Sequence, residues 1–240
     1  FLKYKKGYQY KIEQNLINLI EKTSPKSQII IMPEAELPYS MQSRDFNNFA
    51  NNLDTSNKEF ISGVWNYDDG HLYNSLISLN TRKSYNKVHL VPFGEYIPFI
   101  ASLRGIISFF DMPMSNTTPG KSNQDMLSIN GKQILGLICF DVAFPLSFIN
   151  KSKTADFIVN ISNDSWFGSS YGPYQHLQIV RARALELNKW IARGTSDGIS
   201  TIVDNKGTIV SKLDKGSQGV LLGTIYIQKK ESYFVKYGYL

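Results

Sequence analysis

The segment that decides the fold is Asn130–Cys139, which reads NGKQILGLIC. It opens with Asn130 and Gly131, a dipeptide typical of a type I′ turn between two strands. The apolar run Ile134–Ile138 follows, and a continuous run of this length is typical of a strand buried on both faces. Because the run ends at Cys139, we predict a thiol at the carboxyl end of a buried strand, where α/β sheets commonly place reactive groups.

Predicted helices and strands alternate along the rest of the chain. An apolar stripe at positions 12, 16, 19 and 20 predicts a helix that ends before Pro25, and Ser43 is the predicted N-cap of a second helix. A third helix is predicted over Pro173–Arg193, ending at Gly194. This alternation, with hairpins mixed in, predicts a layered α/β sandwich with a mixed sheet. The predicted strands are, in chain order, Gln28–Met32, Glu59–Trp65, His71–Leu79, a strand ending near Val88, Asp125–Ile129, Lys132–Ile138, Asp156–Ser162, Ile199–Val203, Thr208–Lys212 and Val220–Ile227.

The composition is that of an ordinary folded protein, with 240 residues, 42% hydrophobic and 19% charged. Lys and Arg number 26 against 20 Asp and Glu, and this net charge of +6 is not concentrated in the basic patch that nucleic-acid binding requires. No run reaches the roughly 18 apolar residues of a membrane-spanning helix, so composition alone predicts one soluble domain. The single cysteine excludes an internal disulfide and a cysteine-based zinc site, and the three histidines lack ligand spacing.

Three predicted strands end at side chains that could react together, namely Glu34, Lys87 and Cys139. Taken singly, each has an ordinary explanation: a loop glutamate, a surface lysine and a small buried thiol. Taken together, they supply a base for the thiol proton, a positive donor for a tetrahedral intermediate and a nucleophile. This chemistry needs no metal and no organic cofactor.

The chain resembles the nitrilase (carbon–nitrogen hydrolase) superfamily in the motifs Met32-Pro33-Glu34, Tyr85-x-Lys87 and Cys139. More narrowly, it resembles the nitrilase-like domain of bacterial apolipoprotein N-acyltransferases. The resemblance implies an α-β-β-α sandwich with mixed sheets over residues 1–240. It also implies that the family's first strand and flanking transmembrane helices are absent from this chain. The motifs that carry the narrower resemblance are Lys87–Pro98, Phe109–Ser115, Ile161–Gly168, Gly172–His176 and Arg183–Glu186.

The resemblance further implies an acyl transfer that completes lipoprotein maturation. A fatty acyl chain would pass from a phospholipid to Cys139 as a thioester, and then to the N-terminal diacylglyceryl-cysteine of an apolipoprotein. Glu34 would act as the base, Lys87 would stabilise the oxyanion, and Glu95 would orient Lys87. The implied enzyme is a monomer without cofactor in the bacterial inner membrane, with its catalytic domain facing the periplasm.

Three further positions are predicted to bind substrate: Tyr4, Arg104 and Trp166. Arg104 lies in the apolar segment Phe99–Phe110, which could gate lipid entry at a bilayer or could be an ordinary buried loop. Trp166 could line the acyl pocket or belong to the core. No partner pattern makes His89 or His176 a general base, so we predict structural roles for both. Asn163 and Asp164 are expected to form local turn hydrogen bonds that hold the loop of Trp166.

One departure from the family concerns the two residues after the nucleophile. The family has Tyr-Glu there, whereas this chain has Phe140 and Asp141, which lose a hydroxyl and a methylene. We predict supporting roles for both positions. Two alternatives stay open: a soluble carbon–nitrogen hydrolase with the same Glu-Lys-Cys triad, and an inactive homologue that binds lipid. An exposed apolar surface formed by Phe99–Phe110 beside Cys139 would favour the acyltransferase over the hydrolase.

Overall fold

Two β-sheets lie face to face in the computed structural model, which describes residues 6–96 and 117–238. The first sheet has the order β1-β2-β3-β4, and the second has the order β10-β9-β8-β7-β6-β5. The strands are β1 Ile29–Ile31, β2 Glu59–Asp68, β3 His71–Ser78, β4 Ser84–Asn86, β5 Leu127–Ile129, β6 Lys132–Ile138, β7 Phe157–Asn163, β8 Ile191–Ser196, β9 Ser200–Val203 and β10 Ile209–Leu213. The α-helices are α1 Lys6–Glu21, α2 Arg44–Asn51, α3 Ile149–Thr154, α4 Gly172–Leu187 and α5 Tyr233–Tyr237.

Both sheets are mixed, as predicted. In the first sheet β1 and β2 are parallel, while β2, β3 and β4 pair antiparallel in turn. In the second sheet β6, β7 and β8 are parallel to one another, and the outer pairs are antiparallel. Because parallel neighbours end at the same edge, the residues that follow β6 and β7 lie side by side.

Apolar side chains fill three layers and explain why the sheets stack. Ile61 and Leu76 of the first sheet pack against Ile138 and Val159 of the second, forming the layer between the sheets. A second layer joins α1 and α2 to the outer face of the first sheet. A third joins the second sheet to α3, α4 and α5. The predicted α-β-β-α sandwich is therefore confirmed.

Two local signals in the sequence are also confirmed. Asn130 and Gly131 have φ values of 50° and 73°, the left-handed pair that a type I′ turn requires between β5 and β6. Ser43 caps α2, because its Oγ accepts a hydrogen bond from the backbone N–H of Phe46 at 3.1 Å.

Two predicted elements near the carboxyl end are wrong. The long helix ends at Leu187, because Asn188 adopts the left-handed conformation and its N–H closes the last turn. Ile191 then begins the strand β8, since an apolar residue at this position suits a helix face and a buried strand equally. Residues 220–227 form no strand and extend beside the second sheet without a ladder. Within residues 6–96 and 117–238, none of the helices combines the length and apolar character needed to cross a bilayer.

Candidate active site

Glu34 is placed where β1 ends, directly beside a glycine of β2. The N–H of Gly63 donates to the carbonyl oxygen of Pro33 at 3.0 Å, which continues the pairing of the two strands past β1. A Cβ atom on Gly63 would lie 2.3 Å from the nitrogen of Ala35 and 2.6 Å from the Cα of Glu34. Only glycine leaves room for the chain to turn here, so position 63 sets where the carboxylate of Glu34 lies.

Lys87 is buried between two carboxylates. Its Nζ lies 2.6 Å from Glu95 Oε2 and 3.3 Å from Glu34 Oε1. The backbone N–H of Lys87 donates to Asn74 at 2.8 Å, so the residue continues the ladder of β4 on β3. Burial lowers the pKa of Lys87, but the attraction of Glu34, Cys139 and Glu95 is stronger and raises it overall, which keeps the ammonium charged.

Asn74 of β3 joins the two carboxylates and is not among the residues predicted from the sequence. Its side-chain amide donates to Glu34 Oε1 at 2.6 Å and to Glu95 Oε1 at 2.9 Å. The sequence does contain a signal for this role: Asn74 is a polar residue in the middle of a predicted strand, and a buried polar side chain needs hydrogen-bond partners. We refer to Glu34, Asn74, Lys87 and Glu95 as the acid–lysine cluster.

Glu34 also reaches across to the second sheet. Its Oε2 accepts a hydrogen bond from the backbone N–H of Asn163, the last residue of β7, at 2.7 Å. This bond brings the acid–lysine cluster of the first sheet to the carboxyl edge of the second, where Cys139 follows the adjacent strand β6.

Cys139 directly follows β6 and begins the short 3₁₀ helix Cys139–Ala143, in a left-handed turn with φ of 47°. This conformation is uncommon for a residue with a side chain, and it marks a turn that the surrounding structure holds in place. Burial, followed by the charge of Glu34, raises the pKa of the thiol to about 12, while Lys87 and a hydrogen bond with Ser162 act in the opposite direction. The resting group is therefore a neutral thiol that needs a base before it can attack.

Asp141 is buried near Cys139, and both of its carboxylate oxygens accept hydrogen bonds. Its Oδ1 accepts bonds from the backbone N–H groups of Val88 and His89 at 3.2 and 2.7 Å. Its Oδ2 accepts bonds from Tyr85 Oη at 3.1 Å and from the N–H of Ile138 at 3.2 Å. The shorter acid thus ties the segment around Lys87 to the turn around Cys139, and burial raises the pKa of the Tyr85 hydroxyl, followed by the charge of Asp141.

Phe140 lies at the surface, 36% exposed, with its ring edge-on to Phe144 at 4.9 Å. Trp166 lies in a 3₁₀ turn and is 60% exposed, so it is not a core residue. Neither position makes a contact that identifies a substrate. Tyr4, Arg104 and the segment Phe99–Phe110 lie outside the described residues.

A second buried group of charged side chains lies next to Cys139. It includes His176, one of the two histidines predicted to be structural. His176 of α4 places Nδ1 3.1 Å from Asp164 Oδ1, and Arg193 of β8 places Nη2 2.8 Å from Asp164 Oδ2. We refer to Asp164, His176 and Arg193 as the histidine cluster. Asn163 forms the expected turn with Ser165, whereas Asp164 makes buried ion pairs in addition to local bonds.

The pKa of Asp164 reflects these contacts. Burial acts to raise it, but His176 and Arg193 outweigh burial and lower it to about 2. The other predicted structural histidine, His89, stacks on Phe144 at 4.1 Å and places Nδ1 3.2 Å from Asp141. Both histidines are therefore anchored by buried carboxylates.

The arrangement offers a thiol, a buried carboxylate and a charged ammonium within one cluster of strand ends. These are the groups that covalent acyl chemistry needs: nucleophile, base and oxyanion donor. Among residues 6–96 and 117–238, no group of three or more His, Cys, Asp or Glu side chains could hold a metal ion.

The sequence of the chain matches those of known proteins. The model of the family described as carbon–nitrogen hydrolase matches residues 6–233. An apolipoprotein N-acyltransferase from Shewanella oneidensis is 35% identical over 228 residues, which are 88% of this chain and 44% of that protein. One from Pseudomonas syringae pv. tomato is 42% identical over 142 residues, which are 59% of this chain and 28% of that protein. The chain thus spans less than half the length of these curated relatives, and the predicted resemblance to their nitrilase-like domain is confirmed.

Two solved structures share the fold at low identity. The protein XC1258 from Xanthomonas campestris, a CN-hydrolase superfamily member, has a TM-score of 0.65 and 17% identity. Nit3 from Saccharomyces cerevisiae, a nitrilase superfamily member, has a TM-score of 0.65 and 19% identity. Each comparison covers 88% of this chain and 82% of the other. With a family match over nearly its whole length and this shared sandwich, the chain belongs to the carbon–nitrogen hydrolase family.

Proposed function

We propose that the chain is the catalytic domain of an apolipoprotein N-acyltransferase, with Glu34, Lys87 and Cys139 as its catalytic triad. The observation that carries the proposal is the identity of 35–42% with proteins of that name. The acid–lysine cluster beside Cys139 supports the covalent chemistry that such a transfer needs. The substrates are a phospholipid as acyl donor and a diacylglyceryl apolipoprotein as acceptor.

In the first half-reaction, the Cys139 sulfur attacks the ester carbonyl of the phospholipid. Glu34 takes the thiol proton, and Lys87 stabilises the oxyanion of the tetrahedral intermediate. The intermediate collapses to a thioester, and the departing lysophospholipid oxygen takes the proton from Glu34. A base is required because the thiol, with its pKa near 12, is protonated at neutral pH.

In the second half-reaction, the α-amino group of the diacylglyceryl-cysteine attacks the thioester carbonyl. Glu34 takes the amine proton and delivers it to the departing Cys139 sulfur, which restores the thiol and leaves an amide on the lipoprotein. Glu95 accepts a hydrogen bond from Lys87, and Asn74 donates to both Glu34 and Glu95, so these bonds hold Lys87 and Glu34 in place throughout. One covalent intermediate shared by two substrates implies ping-pong kinetics.

The proposal places the protein in the bacterial inner membrane, as a monomer with this domain facing the periplasm. Phospholipid and lipoprotein acceptor are both found there, and the net charge of +6 suits a surface that faces anionic headgroups. Tyr4, Arg104 and Trp166 are the proposed substrate-binding residues. The 60% exposure of Trp166 is compatible with contact to an acyl chain.

The test uses the whole protein, as its gene encodes it, in phospholipid vesicles that carry a labelled acyl chain and a diacylglyceryl lipopeptide. We expect the lipopeptide to gain the mass of one acyl chain, a lysophospholipid to form, and the peptide that contains Cys139 to carry a transient thioester. The Cys139→Ala protein should show none of the three. Release of free fatty acid without acylated lipopeptide, or hydrolysis of a small amide instead, would favour the hydrolase.

A further inference from the structure

The left-handed turn at Cys139 needs outside support, and hydrogen bonds hold it on both sides. Before the turn, the N–H of Ile138 donates to Asp141 Oδ2 at 3.2 Å. After the turn, His176 Nε2 lies 3.2 Å from the carbonyl oxygen of Cys139 itself. A backbone conformation that costs energy persists only where such contacts fix it.

The role of Nε2 follows from its partner. A carbonyl oxygen only accepts hydrogen bonds, so Nε2 carries a hydrogen and donates it. The other ring nitrogen, Nδ1, lies 3.1 Å from Asp164 Oδ1 and 3.2 Å from Arg193 Nη2. Neutral, the ring accepts from Arg193 through Nδ1; protonated, it donates to Asp164. Nε2 donates to Cys139 in either case, so this bond does not depend on the charge of the ring.

The rest of the histidine cluster fixes the ring and reaches the thiol by a second route. Arg193 also donates to Asn160 of β7, and the carboxylate of Asp164 accepts from the Ser162 hydroxyl at 2.6 Å. Ser162 in turn lies close enough to the thiol of Cys139 to lower its pKa. The histidine cluster therefore contacts both the carbonyl group and, through Ser162, the sulfur of the nucleophile.

We propose that His176 is a positioning residue for the nucleophile: its Nε2–H holds the carbonyl oxygen of Cys139 and so fixes the left-handed turn that presents the thiol to Glu34 and Lys87. His176 takes no proton in the reaction and acts only through Cys139. This inference rests on the proposed function for its kinetic consequence, but the geometry of the turn stands without it.

The test compares His176→Gln with His176→Asn in the whole protein. The amide nitrogen of glutamine can occupy the position of Nε2 and donate to Cys139, whereas asparagine reaches only the position of Nδ1. We expect the asparagine variant to lower kcat about 100-fold with KM unchanged, because a misplaced nucleophile slows chemistry rather than binding. The glutamine variant should stay within about tenfold of the wild type. Both replace the ring by an amide, so their thermal unfolding midpoints serve as the matched control for folding.

A second readout does not depend on acyl transfer: the rate at which iodoacetamide alkylates Cys139, followed by the mass of its peptide. The groups that face the thiol are Glu34, Lys87, Ser162 and Asp164. A relaxed turn moves the partly buried thiol away from these groups, so at pH 8 we expect His176→Asn to alkylate at least about ten times faster than the wild type, and His176→Gln at a rate close to it. Equal alkylation rates in the two variants would overturn the inference, and so would equal kcat values when the wild type transfers acyl chains. If the wild type transfers no acyl chain but the two variants still differ in alkylation rate, the proposed function alone is overturned.

Discussion

The acid–lysine cluster and the histidine cluster approach Cys139 from different sheets, and they differ in charge balance. The first lies in and after the strands of the first sheet and contains two carboxylates for one ammonium. The second comprises Asp164, which follows β7, together with Arg193 of β8 and His176 of α4, and in it Asp164 and Arg193 neutralise each other. A buried group with one carboxylate in excess can accept a proton readily. If a balanced pair of charges took up a proton, it would be left with an unpaired buried charge, which is costly. The unbalanced cluster is therefore suited to chemistry and the balanced cluster to support.

The largest effect should come from removing the excess carboxylate. Glu34→Gln keeps the shape of the side chain but removes the base, so we expect acyl transfer to fall by about 10³-fold or more. Initial rates of lipopeptide acylation measure this, with the exposed Glu21→Gln in α1 as a matched control at wild-type rate. Activity within tenfold of the wild type would assign the base to another group.

A smaller effect should follow from moving the same carboxylate without replacing it. Gly63→Ala places a Cβ against the backbone of Glu34 and Ala35, so the acid must shift while every reacting side chain is retained. We expect kcat to fall about 100-fold, with a stability loss of about 1–3 kcal/mol. Gly7→Ala in α1, where no atom lies within 4 Å of the added Cβ and φ is not positive, controls for loss of a glycine. An unchanged kcat would show that the residue at position 63 does not determine where the carboxylate of Glu34 lies.

The histidine cluster should reveal itself in stability against acid. The pKa of Asp164 is lowered from 3.8 to about 2 in the folded state. Its carboxylate therefore adds about 2 kcal/mol to the free energy of unfolding above pH 4, and this contribution is lost as the pH falls towards 2. Asp164→Asn should be less stable than the wild type at pH 7, by about 3 kcal/mol, because Arg193 loses its partner. Urea unfolding should show that the difference in free energy of unfolding between the wild type and the variant becomes smaller between pH 4 and pH 2. A gap that is constant with pH would mean that Asp164 is not the titrating group.

The smallest effect is expected at the surface beside the two clusters. Phe140→Tyr adds a hydroxyl to a ring that is 36% exposed, so stability should change by less than about 0.5 kcal/mol. If acyl transfer changes less than about threefold, the family's tyrosine has no essential role in this chain. A gain of tenfold or more would instead show that the missing hydroxyl limits the rate, and lipopeptide acylation measures either outcome.

The sequence predicted the acid–lysine cluster better than the histidine cluster, for a physical reason. Glu34 and Cys139 each follow a run of apolar residues, and Lys87 lies near the end of a predicted strand, so all three are visible in a local pattern. Asn74 lies within β3, and its role appears only when two distant carboxylates meet its amide. Gly63 could have been identified, because a glycine inside a strand often marks a close approach of two backbones.

The histidine cluster includes a residue of β8, where the sequence predicts a helix instead of a strand. Arg193 belongs to β8, but the continuous apolar periodicity through Ile191 extended the predicted helix over it. With Arg193 on a helix, its pairing with Asp164 could not be foreseen, and His176 had no visible partner. The left-handed cap at Asn188, a single backbone conformation, separates the two interpretations.

The bond from Asn163 to Glu34 has a consequence for the timing of the reaction. As a carboxylate, Glu34 accepts hydrogen bonds from Asn74, Lys87 and Asn163 at once. In the proposed mechanism it holds a proton between the two proton transfers of each half-reaction, and a neutral acid is a weaker acceptor than a carboxylate. The contact that Glu34 makes between the two sheets therefore weakens while the tetrahedral intermediate exists and recovers when the proton leaves. Each turnover would weaken and restore this hydrogen bond between the sheets twice, once for each substrate.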